Sequence, residues 1–238
     1  MDESLEEPPI SRLTWRKTYR IVRSRFLPIN LFEDIADPAD WEAILSAEAK
    51  TSPEIAKNVG MLDQVPSDRR VSGEGASWAM APFVHATPDW PSRFSDGSYG
   101  VYYAGDCIEV ALFETIYHHG RFMEATSESS GWTSDFCELV GSINSDLHNV
   151  SDKSALEDLY HLDDYAIPQT LSSELRDKGS NGLLYRSVRY PYGQAVALFW
   201  PDVAGIPKQG RYFSYFWDGS IISRVKNITS GELFSVLE

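Results

Sequence analysis

The spacing of apolar side chains divides the chain into segments, and the clearest begins at Gly100. Val101, Tyr102, Tyr103 and Ala104 are β-favouring residues and predict a short strand. From 107 to 118 the apolar positions Val110, Ala111, Leu112, Phe113, Ile116 and Tyr117 predict a helix. Asp106 and Glu109 form an Asp-x-x-Glu variant of the capping box at its head. The pattern is therefore strand, tight turn, helix. Glu114 lies two turns into that helix among apolar neighbours, so it is either on the outer face or partly buried with a purpose.

Upstream, Asp37 and Pro38 supply an N-cap and an N1 proline, and Trp41, Ile44, Leu45 and Glu48 continue at helical spacing to about Lys50. Pro53, Pro66, Gly73, Gly75, Pro82, Pro88 and Pro91 punctuate 51–99 and predict short helices and long loops packed on the core. Downstream, Phe136, Leu139, Val140 and Ile143 predict a strand over 135–144. Ser151 is placed to cap a short helix carrying Leu156 and Leu159. Thr170 is placed to cap another that ends at Lys178, with Gly179 as its C′ residue. Strands over 183–188 and 195–200 flank a turn at 190–193, and strands over 211–217 and 220–225 flank Asp218-Gly219, a two-residue hairpin signal. Mixed strands and helices without a βαβα rhythm predict a single α+β domain.

Charge changes the picture. The 238 residues carry 21 Lys and Arg against 35 Asp and Glu, a net charge of −14, the wrong sign for a broad DNA-binding face. Yet Arg12, Arg16, Lys17, Arg20, Arg23 and Arg25 fall within 11–32, where no acidic residue occurs. That segment is a solvated basic face or an anion site. The two cysteines, Cys107 and Cys137, are too few for a disulfide framework and read as reduced thiols. No run approaches the ~20 apolar residues of a membrane span, and the acidic start lacks a signal-peptide pattern, so a soluble cytoplasmic protein is expected.

Several chemistries are excluded. The chain has no Gly-x-Gly-x-x-Gly after a strand, no Walker A sequence, no Gly-x-Ser-x-Gly and no His-Glu-x-x-His. His118-His119 is a poor metal pair, because adjacent residues diverge on a helix and no second ligand group has suitable spacing.

A dispersed set remains: Arg20, Arg93 in the block 92–97 (Ser-Arg-Phe-Ser-Asp-Gly), Tyr102 and Tyr103 in 99–104 (Tyr-Gly-Val-Tyr-Tyr-Ala), Glu114, and Ser187 in 187–191 (Ser-Val-Arg-Tyr-Pro). These ordered blocks resemble the RES-domain family, the toxins of RES–Xre toxin–antitoxin pairs, from about Tyr19 to Gly219. The resemblance divides the chain into an N-terminal extension (1–18), a RES domain (19–225) and a tail (226–238), and implies a fold related to ADP-ribosyltransferases with a mixed or antiparallel β core and flanking helices. It also implies an enzyme that splits the nicotinamide–ribose bond of NAD, with inorganic phosphate or water as acceptor. No cofactor is implied, since NAD is the substrate and phosphate the co-substrate. Arg20, Glu114 and Ser187 match the family's catalytic positions. Arg93 and Tyr103 match its substrate-binding positions, with the adjacent Tyr102 as the alternative tyrosine. The implied partner is an Xre-type helix-turn-helix antitoxin, which would supply any DNA contact, and the pair leaves room for a homodimer within the complex. Transfer of ADP-ribose to a protein, or a catalytically silent interaction module, are the alternatives.

The residue types suit that chemistry. Arginines grip pyrophosphate oxygens with a planar fork that Lys lacks. A carboxylate stabilises the positive charge that develops on the ribose as nicotinamide leaves. A tyrosine can stack on a flat ring, and a serine hydroxyl can hold phosphate or ribose. Phosphate would need a further cation, for which Arg189 and then Arg186 are placed by position. Each residue also has an ordinary reading: a solvent-facing Glu114, a core Tyr103, an uninvolved strand Ser187, surface arginines. Tyr185, Phe199, Trp200, Phe213, Tyr215 and Trp217 read as core aromatics.

Overall fold

The computed structural model describes residues 7–24, 62–151 and 157–236. The helix expected from Pro38 to Lys50, residues 51–61 of the loop-rich segment and the first part of the helix expected after Ser151 lie outside them.

The basic segment is a strand. β1 (Ile10–Arg23) runs antiparallel along β3 (Thr133–Asn149), from Ile10↔His148 to Arg23↔Phe136. Its register breaks between Trp15 and Thr18, so Arg16 and Lys17 form an irregularity between the buried Leu13 and the buried Thr18 and Ile21. Such a break erases a clean period of two, which is why alternation alone does not mark this strand. The boundary expected at 18/19 falls inside it.

β3 is long enough to serve two partners. Its first half pairs antiparallel with β6 (Lys208–Trp217), and its last two residues pair in parallel with β4 (Gly182–Arg186). β4 pairs with β5 (Gln194–Leu198), β5 with β2 (Tyr102–Gly105), and β2 returns to β1 through the single pair Tyr19↔Gly105. Five strands, β1, β2, β5, β4 and β3, therefore close on themselves, which leaves few unpaired edges. β6, β7 (Ile222–Asn227) and β8 (Leu233–Ser235) extend the sheet from β3.

Three α-helices are present among the described residues: α1 (Ala76–Val84), α2 (Ile108–Glu124) and α3 (Ala166–Asp177). The architecture is α+β, as expected. Apolar burial falls into three clusters. Met80 and Phe83 of α1 pack with Tyr102, Leu147 and Val196 inside one face of the closed strands. Leu171 and Leu175 of α3 pack with Leu183, Tyr185 and Phe199. Ala111 and Met123 of α2 pack with Ile21, Phe136, Phe213 and Tyr215. Each large side chain withdrawn from water in this way contributes roughly 1.5–3 kcal/mol.

Local chemistry departs from the sequence reading in three places. The N-cap of α2 is Cys107 without a side-chain bond, so Asp106 and Glu109 do not form a capping box. Thr170 sits inside α3 and donates back to the Ala166 carbonyl, while the helix begins after Tyr165. The turn after β6 spans 218–221, because the Asp218 carboxylate accepts the Ser220 and Ile221 amides and draws two extra residues into it. Gly179 does follow α3 as expected: its φ of +84° lets its amide reach the Arg176 carbonyl and the Ser180 amide reach Leu175.

Candidate active site

β1 and β2 share one residue pair and then diverge, and the gap between them is the floor of a cavity of about 280 Å³. Tyr19, Arg20 and Ile21 of β1 and Tyr103, Ala104 and Gly105 of β2 line it. One face of α2 forms a wall. Val110, Ala111, Glu114, Thr115 and His118 recur at helical spacing along it. Arg93 and Arg189 enter from the loops before β2 and between β4 and β5, and Tyr185 of β4 closes the back.

Glu114 is held rather than loose. The Ser187 hydroxyl donates to its Oε1 at 3.0 Å, and the same hydroxyl accepts the Tyr190 amide at 3.0 Å. Ser187 is 4% exposed and is not among the cavity-lining residues, and its hydroxyl faces the Glu114 carboxylate. Glu114 keeps its Oε2 toward His118, 3.9 Å away on the next turn.

Arg20 is anchored on its inner side. Its Nη1 donates to the Tyr103 carbonyl at 3.0 Å, and its guanidinium lies over the Tyr102 ring at 4.9 Å. Burial lowers its pKa from the ordinary value, while Tyr102 and Tyr103 oppose that shift. It has no carboxylate partner among the described residues. Its Nε is buried and makes no hydrogen bond among the described residues, a donor that a bound acceptor could satisfy.

The choice between the two tyrosines follows from strand alternation. Tyr102 is 1% exposed, packs in the core with Leu13 and Met80, and lies behind Arg20. Tyr103 points the other way and lines the cavity. Its hydroxyl is shared with Ser92 at 2.8 Å and accepts the Phe94 amide at 3.1 Å. Burial pushes its pKa up to about 12 despite those bonds.

Arg93, Arg189 and Glu114 all line the cavity, whereas Arg186 does not: it packs over the Tyr160 ring at 4.3 Å. Position in the sequence did not single out Tyr19, Thr115, His118, Tyr165 or Tyr185 for the site. His118 was findable as the i+4 neighbour of Glu114 on one helix face, whereas Thr115, the adjacent residue, had no such spacing signal. Tyr185 had only the signature of a core aromatic; the structure places it at the cavity wall, where burial and the nearby Glu114 push its pKa well above the usual value. His119 is turned away into Phe122, Phe136 and Tyr215, so the histidine pair does not converge.

A family model described as the RES domain matches residues 68–218, more than half of the chain. The chain belongs to the RES-domain family. This match includes Arg93, Tyr103, Glu114 and Ser187, while Arg20 precedes it. A curated relative, the uncharacterized protein y4oC of Sinorhizobium fredii (strain NBRC 101917 / NGR234), is 26% identical over 212 residues, covering 86% of this chain and 84% of its own. Among solved structures, a chain of the M. tuberculosis MbcT-MbcA toxin-antitoxin complex is similar over 85% of both chains, with 10% identity and a TM-score of 0.46.

The cavity of this RES domain is electrostatically opposite to the whole molecule. Three arginines and one carboxylate line it, in a chain of net charge −14. Among the described residues no helix is long and apolar enough to cross a membrane.

Proposed function

We propose that this RES domain cleaves the nicotinamide–ribose bond of NAD, with phosphate or water as acceptor, and acts as the toxin of a toxin–antitoxin pair in the cytoplasm. The observation that carries the reading is Glu114: a carboxylate fixed by Ser187 in the wall of a cavity that otherwise presents guanidinium groups. Positive groups suit the pyrophosphate of a dinucleotide, and one fixed negative group suits the cation that forms at ribose.

In this reading the C1′–N bond breaks and its electron pair returns to the ring nitrogen, releasing neutral nicotinamide. Glu114 accepts a ribose hydroxyl hydrogen bond and stabilises the positive charge developing at C1′. An oxygen of phosphate or water then bonds to C1′, and with water a proton is released. Arg20 holds a phosphate oxygen with the nitrogens that its Tyr103 contact leaves free, and the Tyr103 ring offers a flat apolar surface. The antitoxin, expected to be of the Xre type, would occupy the same mouth with an acidic group.

Incubating the protein with NAD, with and without phosphate, and weighing the products tests the reading. Free nicotinamide with ADP-ribose 1″-phosphate or ADP-ribose supports it. Intact NAD under all conditions sinks it, and ADP-ribose attached to protein would assign the acceptor differently.

A further inference from the structure

The cavity wall carries one titratable side chain without a part in the reaction above. His118 stands one turn beyond Glu114 on α2, and its Nε2 lies 3.9 Å from Glu114 Oε2. That separation is too long for a hydrogen bond. An oxygen about 2.8 Å from each atom would touch both, so the pair is spaced for one water or hydroxyl between them. The imidazole packs edge to face against the Tyr117 ring, with centres 5.3 Å apart, and makes no hydrogen bond among the described residues. Its side chain is 61% exposed, so a proton that it takes up can pass on to solvent.

Proton acceptors are scarce around it. The guanidinium groups of Arg20, Arg93 and Arg189 have only donors. The hydroxyls of Tyr103 and Tyr185 keep their protons, because burial pushes the first up to about 12, and burial with the nearby Glu114 pushes the second well above the usual value. Glu114 already accepts the Ser187 hydroxyl. That leaves the imidazole. The charged groups facing it are Glu114 from its own helix, Arg189 from the loop between β4 and β5, and Arg93 from the loop before β2. Arg93 Nη1 donates to the carbonyls of Leu159 at 2.9 Å and His161 at 2.8 Å, and Arg189 Nη2 to that of Leu162 at 3.2 Å, contacts that orient both cations without neutralising them. Partial burial lowers the imidazole pKa, Glu114 opposes this, and Arg189 and Arg93 reinforce it; the net direction is down, toward the neutral ring.

We propose that His118 is the general base for water at this site, so that hydrolysis depends on it and phosphorolysis does not. This role rests on the NAD reading. As the C1′–N bond breaks, its electron pair leaves with neutral nicotinamide. The water oxygen bonds to C1′, and its proton passes to His118 and from there to solvent. The phosphate dianion brings an oxygen that carries no proton, and its attack needs no base.

The test compares the two acceptors. With NAD and no phosphate, His118→Gln should lower ADP-ribose formation by about 10²-fold or more, the usual worth of a general base, with KM for NAD little changed. With saturating phosphate, formation of ADP-ribose 1″-phosphate should fall far less. Added imidazole should restore part of the hydrolysis in His118→Ala, a rescue that a merely structural role does not give. In the wild type, hydrolysis should decline as pH falls through a range below the ordinary histidine value of 6.5, because the protonated ring accepts nothing, and His118→Gln should lose that limb. Unchanged hydrolysis in a folded His118→Gln, equal losses with both acceptors and no rescue by imidazole, or a wild type that forms only the phosphate product overturns the base role and leaves the NAD reading standing. Intact NAD with either acceptor refutes the NAD reading, and the base role falls with it.

Discussion

Glu114 and Ser187 lie 73 positions apart and meet in one hydrogen bond, and that bond makes two side-chain roles separable by experiment. Glu114→Gln keeps the shape and a hydrogen-bonding oxygen but removes the charge proposed to face the ribose. Turnover of NAD should fall by about 10²-fold or more with an unaltered circular dichroism spectrum; near-native turnover in the folded variant would contradict the assignment. Ser187→Ala leaves the carboxylate charged but less well aimed. The loss should be about tenfold, the worth of one hydrogen bond to a charged group, and should appear in kcat with KM for NAD little changed. A rise in KM with normal kcat would mean that Ser187 touches substrate after all.

At the scale of elements, the segment from Ser187 to Gly193 is tied to α2 along its length. Tyr190 stacks on Phe113 with ring centres 5.5 Å apart, and a Cβ at Gly193 would come within 2.3 Å of Val110. The wall that carries Glu114 and the loop that carries Arg189 are therefore packed directly against each other. On the other side of the sheet, β3 and β6 are out of register between Cys137 and Leu139, and Glu138 fills the break. Its buried carboxylate accepts the Arg211 amide at 2.9 Å, Nε at 2.9 Å and Nη2 at 2.6 Å. Burial raises the Glu138 pKa, but those bonds outweigh it and hold it below the ordinary 4.5. A carboxyl whose folded pKa is depressed contributes stability above its unfolded pKa and loses it as pH falls through the folded value. Glu138→Gln should therefore lower stability by about 2 kcal/mol near neutral pH, with the gap to wild type closing below pH 4.5. Denaturant melts at pH 7 and pH 3.5 check this, and a gap that is independent of pH would refute it.

For the whole molecule, the consequential quantity is the contrast between a net charge of −14 and a cavity that presents three arginines against one carboxylate. DNA phosphates are repelled at long range, so the chain alone should not shift operator DNA, and any such affinity of a complex should belong to the antitoxin. The cavity attracts acidic groups instead. An antitoxin that silences the enzyme by placing a carboxylate among these arginines should compete with NAD. Titrating the purified complex with NAD tests this: full inhibition with unaltered NAD affinity would place the inhibitory contact elsewhere.

The short strand at Tyr102, the helix carrying Glu114, the β4–β5 pair and the C′ role of Gly179 were legible because each rests on contacts within a few residues. The α+β class followed from their order, and the RES resemblance from three ordered blocks. Alternation narrowed the tyrosine choice to opposite faces of one strand but could not say which face was the cavity. That required β1, whose strand pattern is broken at Arg16 and Lys17 and whose partner β3 lies more than a hundred residues away. The closed strand order, the gap beyond Tyr19↔Gly105, the bond from Ser187 to Glu114 and the bonds from Arg93 and Arg189 to the carbonyls of Leu159, His161 and Leu162 are likewise long-range. The chain determined which chemical groups were available, because composition and local periodicity are properties of neighbours. Only the tertiary structure decided which of them face one cavity, because that depends on pairings between segments whose separation leaves no mark in either one.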